Sequence, residues 1–218
     1  MRMRAKKWAK PELSVCPFYI QENNKKEHKG NWKKLFKKDN PIYLELGCGK
    51  GIFLSLIAKA HPNVNFIGVD LISNVLAVAR RNIVASLETE SPENILLLSQ
   101  DIEKISDIFG DGDKFDRIYI SFPNPWYKHS QYKKRLTHTR QILQYKTFLK
   151  DGGEIWFKTD HDALFEDSIE YFKECGFDIT YKAYDLINSG FEENFTTEHE
   201  QMYIKEGIKI KFLIAKMQ

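Results

Sequence analysis

From Ile42 onward the sequence alternates short, unbroken apolar runs with longer segments whose apolar residues recur at helical spacing, and this alternation constrains the fold more than any other feature. Strands are expected at Ile42–Leu46, Val64–Val69, Ile95–Leu98, Phe115–Ile120, Glu154–Phe157, Phe177–Ala183 and Ile208–Ala215. Helices are expected at Ile52–Ala60, Asn74–Leu87, Leu136–Leu149 and Ala163–Glu174, with a short one ending near Phe109. Asp151-Gly152-Gly153 and Gly176 read as helix stops. Continuous apolar strands separated by helices imply a mostly parallel sheet covered on both faces. The expected fold class is therefore α/β, a doubly wound, mostly parallel seven-stranded sheet. The last two strands have no helix pattern between them, which predicts an antiparallel C-terminal strand. Ligands of such sheets bind beyond the carboxyl ends of the strands.

Composition narrows the function classes. A chain of 218 residues, 42% hydrophobic and 29% charged, has room for one substantial α/β domain and does not read as disordered. No apolar run approaches the ~18 residues needed to span a membrane, and the N-terminus lacks the apolar core of a signal peptide. Cys16, Cys48 and Cys175 are odd in number and far apart, and the six histidines lack ligand spacing. A cytoplasmic protein with free thiols and no metal is expected. The net charge of +3 is uneven: residues 1–38 hold twelve Lys or Arg and three Glu, a net of +9, which leaves −6 on the remainder. Residues 1–40 read as a basic N-terminal extension and 41–218 as the domain. A basic arm on an acidic body suits a nucleic-acid partner. The plainer reading is a solvated terminus, against which Trp8, Trp32 and Phe36 count.

The first strand runs into Glu45-Leu46-Gly47-Cys48-Gly49-Lys50-Gly51. Gly47, Gly49 and Gly51 permit a sharp turn and a close backbone approach to a ligand. The spacing departs from the dinucleotide pattern and from the phosphate-binding loop. Glu45 would repel a pyrophosphate but suits a cationic or zwitterionic ligand. Asp70, at the end of the second strand, is placed to accept from ribose hydroxyls, and Asp101, after the third, from an exocyclic amine. S-adenosylmethionine has these groups and no phosphate.

After the fourth strand comes Phe122-Pro123-Asn124-Pro125-Trp126-Tyr127-Lys128, a stiff non-helical turn, followed by a basic run to Lys133, Lys134 and Arg135. Two aromatics and an amide beside clustered cations fit a flat base with phosphates attached. Plainer readings exist: Trp126 as a plug for the sheet end, Asp160 as a cap for the next helix, and the cations as a solvated helix start.

These residues resemble the bacterial tRNA (guanine-N7-)-methyltransferase family, within the class I, Rossmann-like, S-adenosylmethionine-dependent methyltransferases. The resemblance runs from Arg2-Met3-Arg4 and Trp8 through the glycine segment, Gly68-Val69-Asp70, the Pro-Trp loop and Phe157-Lys158-Thr159-Asp160 to Thr197-Glu198-His199-Glu200. It implies that Glu45, Asp70, Asp101 and Asn124 surround S-adenosylmethionine, with Asn124 at the position of the family's proposed catalytic residue. It implies that Lys128, Asp160 and Thr197, Glu198, His199 and Glu200 contact tRNA, with Lys133, Lys134 and Arg135 on the RNA backbone. The implied target is guanosine 46 of the variable loop of tRNA. A monomer or homodimer is expected, and the sequence does not choose between them.

The chain departs from the family pattern in places. Asn124 stands where Asp is usual, Tyr127 where Pro is usual, Asp70 where Glu is common and His199 where Tyr is common. Two alternatives follow from Asn124: an exocyclic-amine nucleic-acid methyltransferase, because Asn-Pro-Trp-Tyr is superficially like the loop of such enzymes, or a non-catalytic tRNA-binding relative.

Overall fold

The computed structural model describes residues 6–218, except the side chains of Glu198 and His199. The chain divides into two compact units, with the boundary after Asp113.

The first unit contains strands β1 (Tyr19–Ile20), β2 (Ile42–Leu46), β3 (Asn65–Asp70) and β4 (Ile95–Ser99). They run parallel in the order β1-β4-β3-β2, with Leu44 beside Ile67 and Gly68 beside Leu97. All of β4 is buried, and all of β3 except Asp70, as expected of strands covered on both faces. Helices α1 (Ala9–Ser14) and α2 (Ile52–Ala60) both pack on α3 (Ser73–Leu87), which turns Leu76, Ala79 and Ile83 inward at helical spacing.

Residues 6–40, expected as a basic extension, are built into this unit. Trp32 is 0% exposed, donates from Nε1 to the Ile108 carbonyl at 2.8 Å and meets the Phe109 ring edge-on at 5.1 Å. The Asp113 carboxylate accepts from the backbone N–H groups of Gly30, Trp32 and Gly110, and burial raises its pKa. The Leu97 amide donates to the Phe18 carbonyl, and the Arg81 guanidinium lies 3.5 Å above the Trp8 ring. The aromatics of the segment are thus anchors, while Lys26, Lys33 and Lys34 remain exposed. Burying one large apolar side chain contributes about 2–3 kcal/mol, so ordering this stretch draws on Ala9, Leu13, Phe18, Trp32 and Phe36 together with its backbone bonds to the unit. Arg2-Met3-Arg4 lies outside the described residues.

The second unit contains β5 (Phe115–Ser121), β6 (Leu149–Thr159), β7 (Phe177–Ala183) and β8 (Lys211–Met217), in the order β5-β6-β8-β7. β5 and β6 are parallel, and β8 runs antiparallel to both β6 and β7. The antiparallel C-terminal strand is as expected. Helices α4 (Thr139–Phe148) and α5 (Asp162–Glu174) pack on each other, and Phe165 of α5 stacks on Phe157 of β6 at 6.3 Å. Trp156 and Lys158 point to the opposite face, because side chains alternate along a strand. There Phe191 sits among Trp156, Tyr181 and Phe212 at 4.9–5.4 Å.

Several boundaries differ from the expected ones. Eight strands are described rather than seven, because β1 has only two residues, too few to show a period. β6 begins at Leu149 and runs through Asp151-Gly152-Gly153, where a helix stop was expected. α4 begins at Thr139 rather than Leu136, because His138 caps it. Helix α6 (Glu198–Lys205) lies where no helix pattern was legible. No helix among the described residues is long and apolar enough to cross a membrane.

Candidate functional site

In the first unit, Glu45, Asp70 and Asp101 come from the carboxyl ends of β2, β3 and β4, which are neighbours in the sheet. Glu45 is buried, while Asp70 and Asp101 are half-buried. Asp70 does structural work too: one carboxylate oxygen accepts from the Gly49 amide and the other from the Ile72 amide, each at 3.0 Å. It therefore pins the glycine turn to the start of α3 and keeps further lone pairs for a ligand. Asp101 accepts from the Glu103 amide at 3.0 Å and caps the 3-10 turn Ile102–Asp107.

The turn itself needs its glycines. Gly47, Gly49 and Gly51 have φ of +83°, +53° and +67°. At Gly51 a Cβ would lie 2.8 Å from Ala79 Cβ, so the glycine lets α2 approach α3. At Gly47 a Cβ would meet nothing within 4 Å, so the backbone there faces open space. Burial pushes the Cys48 thiol well above its usual range, and the carboxylates of Glu45 and Asp70 push it further. A buried, neutral thiol is a packing group rather than a nucleophile. An open backbone turn ringed by carboxylates fits the adenosyl and ammonium parts of S-adenosylmethionine and is unlike a phosphate cradle.

In the second unit, the Pro-Trp loop is strained. Phe122 and Trp126 have φ of +51° and +46°, which is unusual for bulky side chains and more so for Phe122, which precedes Pro123. Such strain costs about 1–3 kcal/mol per residue and persists only where the surroundings impose it. The surroundings are visible. The Phe122 amide donates to the Lys158 carbonyl at 2.9 Å, and Asn124 Oδ1 accepts from the Trp126 amide at 3.0 Å. Arg135 Nε donates to the Pro125 carbonyl at 2.8 Å, and its Nη1 bonds Asp167 Oδ2 of α5 at 2.5 Å.

Arg135 is 1% exposed and stacks on Tyr132 at 3.4 Å, so it clamps the loop to α5 from within. It does not present its guanidinium to an RNA phosphate. Lys128, Lys133 and Lys134 are exposed, with Lys134 5.1 Å from the Trp126 ring. Tyr127 is 75% exposed and rests on the His161 ring at 5.2 Å.

Asp160 is half-buried at the end of β6 and does not cap α5; His161 does, accepting from the Leu164 amide through Nδ1 at 3.0 Å. Burial raises the Tyr203 pKa, and the nearby Asp160 carboxylate raises it further. Thr197 caps α6 in a reciprocal pair with Glu200, which is 0% exposed. Glu200 therefore faces the protein rather than a substrate. The side chains of Glu198 and His199 lie outside the described residues.

A family model described as "Putative methyltransferase" matches residues 39–213. A tRNA (guanine-N(7)-)-methyltransferase of Clostridium perfringens (strain SM101 / Type A) is 56% identical over 219 residues, covering 99% of each chain. The chain belongs to the bacterial tRNA (guanine-N7-)-methyltransferase family. Another tRNA (guanine-N(7)-)-methyltransferase, from Clostridium acetobutylicum, is 48% identical over 218 residues, all of both chains. Among solved structures, the 16S rRNA methyltransferase KamB matches with a TM-score of 0.60 at 12% identity, over 85% of this chain and 90% of that one. The Methanococcus jannaschii fibrillarin pre-rRNA processing protein matches with a TM-score of 0.54 at 18% identity, over 83% and 67%. These two establish the class I α/β methyltransferase fold for this family member.

Sequence reasoning missed the roles of Tyr203, Lys158 and Arg135. The signal for the first two was present: Thr197-x-x-Glu200 is a capping-box signature, which predicts α6. Lysine inside the apolar run Ile155-Trp156-Phe157-Lys158 signals a buried partner. Nothing in the local sequence distinguishes Arg135 from the exposed lysines beside it.

Proposed function

We propose that the chain transfers a methyl group from S-adenosylmethionine to N7 of guanosine 46 in the tRNA variable loop. The observation that carries this reading is the 56% identity, across 99% of both chains, to a relative named tRNA (guanine-N(7)-)-methyltransferase. The departures at Asn124 and Tyr127 do not touch the carboxylates Glu45, Asp70 and Asp101 or the exposed Lys128, Lys133 and Lys134 on which this reading draws. A tRNA substrate would make the cytoplasm its place of work.

Glu45, Asp70, Asp101 and the Gly47–Gly51 turn would hold the cofactor, which supplies an electrophilic methyl on a sulfonium. Guanine N7 carries a free in-plane lone pair and needs no deprotonation, so the chain has no proton to remove before attack. Its contribution is alignment and exclusion of water, effects that together reach several powers of ten in rate. Asn124 matters as part of the loop that sets that alignment. Tyr127, exposed on its His161 platform, offers a face on which the extruded base stacks. Stacking offsets part of the few kcal/mol that flipping costs. Asp160 is placed to read the base edge, and its charge favours the cationic product. Lys128, Lys133 and Lys134 would meet backbone phosphates.

The test is transfer of labelled methyl groups from S-adenosylmethionine to unmodified tRNA, followed by chemical cleavage at N7-methylguanosine. One cut in the variable loop supports the proposal. Label without a cut identifies an amino-group or ring-carbon enzyme, and bound cofactor without label identifies a binder.

A further inference from the structure

Lys158 lies on the face of the second unit's sheet away from α5 and is 5% exposed. Its Nζ reaches Asn194 Oδ1 at 2.5 Å and Glu200 Oε1 at 3.2 Å. The second oxygen of Glu200 accepts from the Thr197 amide at 2.8 Å, while the Glu200 amide donates to Thr197 Oγ1 at 3.3 Å. Glu200 therefore closes the first turn of α6 and neutralises a buried ammonium at once. Buried ion pairs contribute little net stability against apolar replacements, and their best-attested use is to fix one arrangement over its alternatives.

The arrangement fixed here has a clear extent. On one side, Asn194 and the seated Phe191 fasten the segment that leads into α6. On the other, Tyr203 follows Glu200 by three residues and so shares its face of the helix. The Tyr203 ring lies 5.6 Å from that of Phe122, and the Asp160 carboxylate is close enough to act on its hydroxyl. The Lys158 carbonyl accepts from the Phe122 amide, so one residue is tied by its backbone to the strained loop and by its side chain to α6.

We propose that Lys158 is a positioning residue. Its ion pair with Glu200 sets α6 so that Tyr203 holds Asp160 and Phe122 in the geometry that receives the tRNA base. The inference rests on the tRNA reading above. It also reassigns Glu200, expected at the substrate, to the support of the groups that meet it.

Lys158→Met alone strands a buried carboxylate and risks unfolding, so the informative variant is the double one, Lys158→Met with Glu200→Gln. Glutamine still serves the capping box, and no buried charge is left unmatched. Tyr203→Phe removes only the hydroxyl. Three quantities are read: amide hydrogen exchange across residues 191–205, kcat and KM for tRNA, and the affinity for S-adenosylmethionine. In the double variant, exchange in 191–205 should quicken and KM for tRNA rise roughly tenfold, with cofactor affinity unchanged. Tyr203→Phe should raise KM for tRNA without altering exchange. Unchanged exchange in the double variant overturns the proposal, as does a KM for tRNA within about twofold of wild type in both variants, or a parallel loss of cofactor affinity. Wild-type protein that leaves no N7-methylguanosine refutes the functional reading instead, while the exchange measurement still reports on the ion pair.

Discussion

Asn124 Oδ1 accepts a hydrogen bond from the Trp126 amide at 3.0 Å, closing a turn in which Trp126 adopts a positive φ. That bond needs an acceptor oxygen two residues before the amide, which Asn and Asp supply equally well. The family's usual Asp and this chain's Asn are therefore interchangeable for loop geometry. Asn124→Asp should retain methyl transfer within roughly tenfold of wild type, whereas Asn124→Ala should lose about 100-fold through misalignment. Rates under single-turnover conditions check this. An Asn124→Ala enzyme near wild-type speed would show that the turn is not what matters at this position.

Arg135 and its two lysine neighbours should separate cleanly. Arg135→Leu removes the bond to the Pro125 carbonyl and leaves Asp167 without its guanidinium, so it should cost about 2–4 kcal/mol of stability. Lys133 and Lys134 are exposed, and replacing both by Ala should leave melting unchanged. The lysine pair should instead weaken tRNA binding and reduce the slope of log affinity against log salt by about 2. Melting curves and binding titrations at several salt concentrations decide it. The reverse pattern would return Arg135 to the RNA.

How much of this was legible in the sequence follows from where each signal lives. β2 and α2 were bounded correctly at Ile42–Leu46 and Ile52–Ala60, because buried strands and amphipathic helices print their periods locally. The carboxylates at three strand ends were legible for the same reason, since a strand end and the acid after it are adjacent in sequence. What stayed hidden depends on partners far along the chain. Arg135 looks like its lysine neighbours until Asp167 and Pro125 are placed beside it. The lysines of residues 25–38 disguised a segment that buries Trp32, Phe36 and even Lys25, whose Nζ donates to the Ser99 carbonyl. α6 has few inward apolar residues and begins at a capping box, so its signal was in the cap and not in the period.

Two glycines of the cofactor turn should fail in different ways. A Cβ at Gly51 would stand 2.8 Å from that of Ala79, so Gly51→Ala forces α2 and α3 apart and should cost about 1–3 kcal/mol or more. A Cβ at Gly47 meets nothing within 4 Å, so Gly47→Ala carries only the strain of φ +83°, about 1 kcal/mol. Its methyl would project into the space proposed for the ligand. Calorimetric titration with S-adenosylmethionine should show affinity reduced roughly tenfold in a Gly47→Ala protein that still melts near wild type. Unchanged affinity there would place the cofactor elsewhere on the turn.

His138 makes stability depend on pH in a direction fixed by its bonding. It caps α4 by accepting from the Arg140 amide through Nδ1 at 3.2 Å, which only the neutral ring can do. Burial lowers its pKa, and the charges of Lys133 and Arg135 lower it further, against a weaker opposing pull from Glu174. The folded chain therefore binds this proton less readily than the unfolded chain. By linkage, the cap's contribution is present above the ordinary histidine value of about 6.5 and is lost as pH falls below it. His138→Asn supplies a cap that does not titrate. Between about pH 7.5 and about pH 5.5, the melting temperature of wild type should fall more than that of His138→Asn. The other titrating groups are common to both proteins, so the difference in slope isolates the cap. Identical slopes would mean that the cap adds no pH-dependent stability.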